Sequence, residues 1–148
     1  MLLRATVDAS VFVSAMRTRE ARARESRKLL SALRSQGVPL VAPALLPVEV
    51  GAALRRGTGD SALALRSAEA LVALPHLTLM PVDSITWRDA TETATVYALR
   101  GSDAIYVATA LRYAATLITL DSEQLERSPE TVEACTPTEA LRRLRTQR

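Results

Sequence analysis

Four acids stand where charge is costly. Asp8, Glu49, Asp103 and Asp121 each interrupt or end an apolar segment: "RATVDASVFVSA", "ALLPVEVGAALRRG", "SDAIYVATALRYAA" and "TLITLD". Taking a carboxylate out of water is unfavourable unless something compensates it. Singly, each acid has an ordinary role. Asp8 and Asp121 can cap the helices that follow them, Asp103 can favour a helix N-terminus through the dipole, and Glu49 can be a half-exposed helix acid. Jointly, carboxylates converging on one edge repel one another unless a positive charge sits among them. No basic residue adjoins the four closely in sequence, so a hard divalent cation is the economical partner. Mg²⁺ and Mn²⁺ prefer oxygen ligands and keep several waters. No softer ligand set competes: the one histidine, His76, follows Pro75 in a surface loop, and the one cysteine, Cys135, reads as a buried filler.

The elements that must position these acids alternate along the chain. Leu2–Val7 reads as a strand buried on both faces, followed by the helix "SVFVSAM" with Ser10 near its N-cap. "REARARESRKLLSALRSQG" is a second helix closed by Gly37, and "VPLVAP" a second strand. "ALLPVEVGAALRRG" and "DSALALRSAEALVALP" are helices, with Pro47 tolerable only in the first turn and Asp60 as a cap. "LTLMPV" is a strand, and "DSITWRDATETATVYALRG" a helix capped by Asp83. The helix "SDAIYVATALRYAA", the strand "TLITL", the short helix "SEQLER", the edge strand "VEACTP" and the basic helix "TEALRRLRTQR" complete the chain. Strands separated by helices need crossover connections, hence an α/β fold: a central, mostly parallel sheet of four to five strands with helices on both faces. In such sheets, sites form beyond the carboxyl ends of the strands. Asp8 and Asp121 follow strands and fall on that edge.

The totals set outer limits. A chain of 148 residues suits a single domain, 1–148, with one sizeable core. With 48% hydrophobic and 24% charged residues it is an ordinary globular composition. Aromatics at 3% argue against a base-stacking RNA platform. The net charge of +3 is carried almost wholly by Arg, a residue suited to bidentate phosphate contacts. One cysteine permits no internal disulfide. With no apolar run near the ~20 residues of a membrane span and no signal-peptide pattern, the expected location is the cytoplasm.

The chain resembles the PIN-domain ribonucleases, particularly the VapC-type toxins of prokaryotic toxin–antitoxin modules. The motifs are "VDASVFVSA", "PALLPVEVGAALRR" and, most specific, "GSDAIYVATALRYAATLITLDSEQLE". The resemblance covers nearly the whole chain and implies a three-layer PIN fold. Position by position, it places the family's acidic site on Asp8, Glu49, Asp103 and Asp121. Ser10 and Thr119 match the polar residues that accompany the first and last acids. Where related sequences often carry Asn three residues after the second acid, this chain has Ala52.

The resemblance implies a metal-dependent endoribonuclease. Mg²⁺, with Mn²⁺ as substitute, held by the four acids would activate water against an RNA phosphodiester, leaving a 5′-phosphate and a 3′-hydroxyl. Glu49 would be either a ligand through water or the base. Substrate contacts fall to Arg17, Arg19, Arg22 and Arg24, with Arg55 and Arg56. The resemblance also implies a small cognate antitoxin and a homodimer. The alternatives are a PIN nuclease outside such a module and a non-catalytic RNA- or protein-binding scaffold. An aspartyl phosphatase would want a second Asp two residues after Asp8, where Ser10 stands. A receiver domain would want a late lysine, and the only lysine is Lys28.

Overall fold

The structure, a computed structural model, describes residues 2–17, 19 and 21–146. Five short strands make one sheet: β1 (Ala5–Val7), β2 (Leu40–Pro43), β3 (Leu77–Met80), β4 (Thr116–Ile118) and β5 (Ala134–Cys135). Their order is β3-β2-β1-β4-β5 and every pairing is parallel. β1 and β4 are wholly buried, as strands covered on both faces must be, and are apolar apart from one threonine each, Thr6 and Thr116. β3 lies at an edge and is half-exposed.

Among the described residues, eight helices surround the sheet: α1 (Ala9–Met16), α2 (Ala23–Ser35), α3 (Leu46–Thr58), α4 (Ser61–Val72), α5 (Ser84–Tyr97), α6 (Gly101–Arg112), α7 (Ser122–Arg127) and α8 (Pro137–Thr146). α6 packs across β1, β2 and β4 and carries α5 on its outer side, while α2 packs on α1 and α8. The result is the expected layered α/β arrangement. Its core is aliphatic: Leu29 and Leu33 of α2, Leu46 and Val50 of α3, Val107 of α6 and Leu117 of β4 are all fully buried. Each such side chain contributes roughly 1.5–3 kcal/mol of burial free energy. Cys135 is buried in this core as expected, and burial pushes its thiol up to about 11.

Several boundaries differ from the sequence reading. The first strand begins at Ala5 rather than Leu2, and of the two cap candidates for α1 it is Asp8, not Ser10, that caps, its carboxylate accepting from the Ser10 amide. The second helix starts at Ala23, not Arg19; positions 18 and 20 lie outside the described residues, as do the last two positions of the C-terminal helix. Pro47 sits in the first turn of α3, and Asp60 and Asp83 cap α4 and α5. His76 lies in a turn as expected but is half-buried, and among the described residues its Nδ1 has no hydrogen-bond partner. Among the described residues, no helix is long and apolar enough to cross a membrane.

Candidate active site

The strand order reverses direction at β1. The chain builds outward through β2 and β3, then returns to add β4 and β5 on the other side. The crevice beyond the carboxyl ends of β1 and β4 is therefore the topological switch point of the sheet. Asp8 follows β1 directly, and its amide donates to Ile118 O at 2.9 Å, extending the β1–β4 ladder by one step. Asp121 lies three residues past β4 and caps α7 by accepting from the Gln124 amide at 3.0 Å. Both Asp residues are thus helix caps at this edge of the sheet, and capping is compatible with a role in a site there.

A buried polar network fixes this corner. The Asp8 carboxylate, in a residue 6% exposed, accepts from Ser10 N at 2.9 Å and from Gln124 Nε2 at 3.4 Å. The Ser10 hydroxyl accepts from Leu120 N at 3.1 Å, tying α1 to the segment after β4. Thr119 Oγ1 donates to Gln124 Oε1 at 2.6 Å and accepts from Asp121 N at 3.0 Å. Gln124 is fully buried and also reaches the Asp103 carbonyl at 3.4 Å. Ser10 and Thr119 therefore stand beside the acids, and Gln124 joins them. Gln124 carries no strong sequence signal: it is a polar residue in a six-residue polar helix.

Glu49 lies in the first turn of α3 and Asp103 in the first turn of α6. Burial raises the Asp8, Glu49 and Asp103 carboxyls above the ordinary range. Mutual repulsion adds to it: Asp121 acts on Asp8 and Asp103, while Asp8 and Asp103 act on Glu49. The structure thus gathers all four acids into one electrostatic cluster. Beneath it lies Tyr106 of α6, a fully buried aromatic whose hydroxyl faces Glu49. The hydroxyl and the Glu49 carboxylate approach each other as a hydrogen-bonding pair, but among the described residues neither the hydroxyl nor Glu49 Oε1 completes a well-aligned bond.

One cation does sit among the acids, contrary to the sequence reading. Arg100 precedes α6 and bridges two carboxylates: Nε donates to Asp103 Oδ2 at 3.0 Å and Nη2 to Asp121 Oδ2 at 2.7 Å. Glu123 stands 3.8 Å from the same Nε. The signal was the spacing. Residues three apart at a helix start face one another, and Arg100 is three before Asp103.

The donor chemistry suits a hard divalent cation. The donors are all carboxylate oxygens, and the buried, unpartnered Glu49 Oε1 is an acceptor in want of a positive partner. The arrangement is not closed, however. Among the described residues, no three His, Cys, Asp or Glu side chains are set to hold a metal ion as they stand. If bound, the ion would be held by Asp8, Asp103 and Asp121, with Glu49 beside them.

The expected basic residues are exposed: Arg17 and Arg19 after α1, Arg22 and Arg24 at the start of α2, and Arg55 and Arg56 late in α3. Arg17 and Arg19 line one surface cavity of about 560 Å³ together with Leu54 and Gly57 of α3. Ala52 is exposed on α3.

Comparison with known proteins bears on the fold. A family model described as "PIN domain" matches residues 5–129. No curated protein sequence matches. Among solved structures, the chain superposes on VapC20 of Mycobacterium tuberculosis, described as a sarcin–ricin loop cleaving toxin, with a TM-score of 0.72. Identity is 16%, over 87% of this chain and 98% of that one. A toxin–antitoxin complex from Klebsiella pneumoniae gives a TM-score of 0.67 at 19% identity, over 90% of this chain and 97% of the other. VapBC2 of Rickettsia felis, solved on a DNA fragment from its promoter, gives 0.69 at 12% identity, over 89% and 97%.

Proposed function

Since the chain belongs to the PIN-domain family, we propose that it is a Mg²⁺- or Mn²⁺-dependent endoribonuclease, the toxin component of a VapBC-type toxin–antitoxin pair, with residues 1–148 acting as one domain. The observation that carries this reading is the gathering of Asp8, Glu49, Asp103 and Asp121 at the switch point between β1 and β4. Burial and acidic neighbours push Asp8, Glu49 and Asp103 up, and carboxylates so placed concentrate where chemistry is done.

When bound, a divalent ion supplies an acidified water and offsets charge on the phosphoryl oxygens. The chain's own residues do the rest. Asp8, fixed by the Ser10 amide and Gln124, is the central ligand. Asp103 and Asp121 approach it from the starts of α6 and α7. Glu49, set beside them at the start of α3, orients the attacking water by accepting its hydrogen bond. Arg17, Arg19, Arg55 and Arg56 contact phosphates along the RNA strand. The structures described as toxin–antitoxin complexes support a small antitoxin as partner, and a homodimer in the cytoplasm completes the reading.

The test is direct. Purified protein is incubated with mixed cellular RNA in Mg²⁺ and, in parallel, with chelator. Fragments bearing 5′-phosphate ends are expected only with metal. Cleavage unaffected by chelator, or no cleavage of any RNA in Mg²⁺ or Mn²⁺, would count against it.

A further inference from the structure

Arg100 is out of place by helix rules. It occupies the N-cap position of α6 and makes no capping hydrogen bond. A cation at a helix N-terminus meets the positive end of the dipole and is disfavoured there. The acids account for it: its Nε and Nη2 take one oxygen each from Asp103 and Asp121, at 3.0 and 2.7 Å. The guanidinium therefore lies between the two carboxylates that a shared metal ion must also join. A hard cation bonds carboxylate oxygen at about 2.0–2.1 Å, which leaves no room for a bridging guanidinium on the same pair of oxygens. Among the described residues, no three acids close around a common point.

Resting on the metal-dependent reading above, we propose that Arg100 is a displaceable resident cation: it holds Asp103 and Asp121 together in the metal-free protein, and the divalent ion binds only as the guanidinium releases them. Release is easy. The Arg100 side chain is 67% exposed, so its ion pairs are solvent-screened and weak. Glu123, 3.8 Å from Nε and itself 40% exposed, offers a carboxylate to which the guanidinium can retreat. Arg100 thereby sets the concentration of metal at which the site fills.

Mn²⁺ titration calorimetry on the full chain tests this, using the parent, Arg100→Gln and Arg100→Lys. Arg100→Gln is expected to bind Mn²⁺ roughly three- to tenfold more tightly, since no competing fork remains. Its metal-free melting temperature should fall, and saturating Mn²⁺ should restore it. Arg100→Lys separates displacement from simple repulsion, because it keeps the charge but loses the planar fork. It should bind Mn²⁺ more tightly than the parent, close to Arg100→Gln. Equal or weaker binding by Arg100→Gln overturns the proposal, as does an Arg100→Lys affinity equal to the parent's. If instead the parent itself binds no Mn²⁺, the metal-dependent reading fails first and this proposal with it.

Discussion

Gln124 and Asp8 lie 116 residues apart in sequence, and the side-chain amide of one donates to the carboxylate of the other at 3.4 Å in a buried setting. The same Gln124 side chain accepts from Thr119 and reaches the Asp103 backbone. It links the ends of β1 and β4 and the start of α6 in one side chain. Partners that orient ligands typically contribute about 10–100-fold to metal affinity or activity. Gln124→Leu, close in volume, should therefore lower Mn²⁺ affinity by about 10-fold or more. Calorimetry checks this, with circular dichroism confirming the fold. An unchanged affinity would reduce Gln124 to a packing role.

Ser10 gives a second prediction. Its hydroxyl is the acceptor for Leu120 N. Ser10→Ala leaves that amide without a partner, at a cost of about 1–3 kcal/mol. Urea unfolding should show the midpoint moving down with little change in slope. A loss well below 1 kcal/mol would mean that water replaces the hydroxyl.

Much of this corner is legible in the sequence, and the reason is apolar contrast. Asp8 and Asp121 stand out because parallel strands buried on both faces carry nearly continuous apolar runs, so an acid at or just past a strand end is conspicuous. Glu49 and Asp103 stand out against "PVEV" and "DAIYVATA" in the same way. The residues that serve the acids have no such contrast. Gln124 sits in a short polar helix where no periodicity marks a buried face, and its burial is set by tertiary packing alone. Arg100 was readable from its spacing to Asp103, but its second bond, to Asp121, spans 21 residues and needs the fold. Tyr106 reads as one more apolar residue of α6 until Glu49 is placed against it. The boundary errors have a similar origin. Ser10 and Asp8 are both good caps, and the choice between them rests on which backbone leaves the helical region first.

The raised carboxyls make a stability prediction. Burial and its acidic neighbours push Glu49 up. A group raised in the folded state contributes stability that is full below its unfolded pKa and is lost as pH rises through the folded value. Without metal, Glu49 therefore weakens the fold near neutrality. Glu49→Gln should raise the metal-free melting temperature at about pH 7.5 by roughly a few degrees, and the gain should vanish near pH 4. Differential scanning calorimetry at the two pH values decides it; a loss of stability at neutral pH would contradict the assignment.

Tyr106 is a sharper local test. Its hydroxyl is buried against Glu49, and among the described residues it completes no well-aligned hydrogen bond. Removing an unsatisfied buried polar group is neutral or stabilising. Tyr106→Phe should change unfolding free energy by less than about 1 kcal/mol, or raise it. A loss above about 2 kcal/mol would mean that the hydroxyl carries a bond, with Glu49 as the candidate acceptor.

The central claim is that Asp8 and its three companions hold the metal that cuts RNA. The most direct measurement is the initial rate of RNA cleavage in Mg²⁺ by the purified protein and by Asp8→Asn, which keeps the shape and removes the charge. With the fold verified by circular dichroism, the rate is expected to fall at least about a hundredfold, beyond the usual effect of losing an orienting partner. Cleavage by Asp8→Asn at the parental rate would contradict the account.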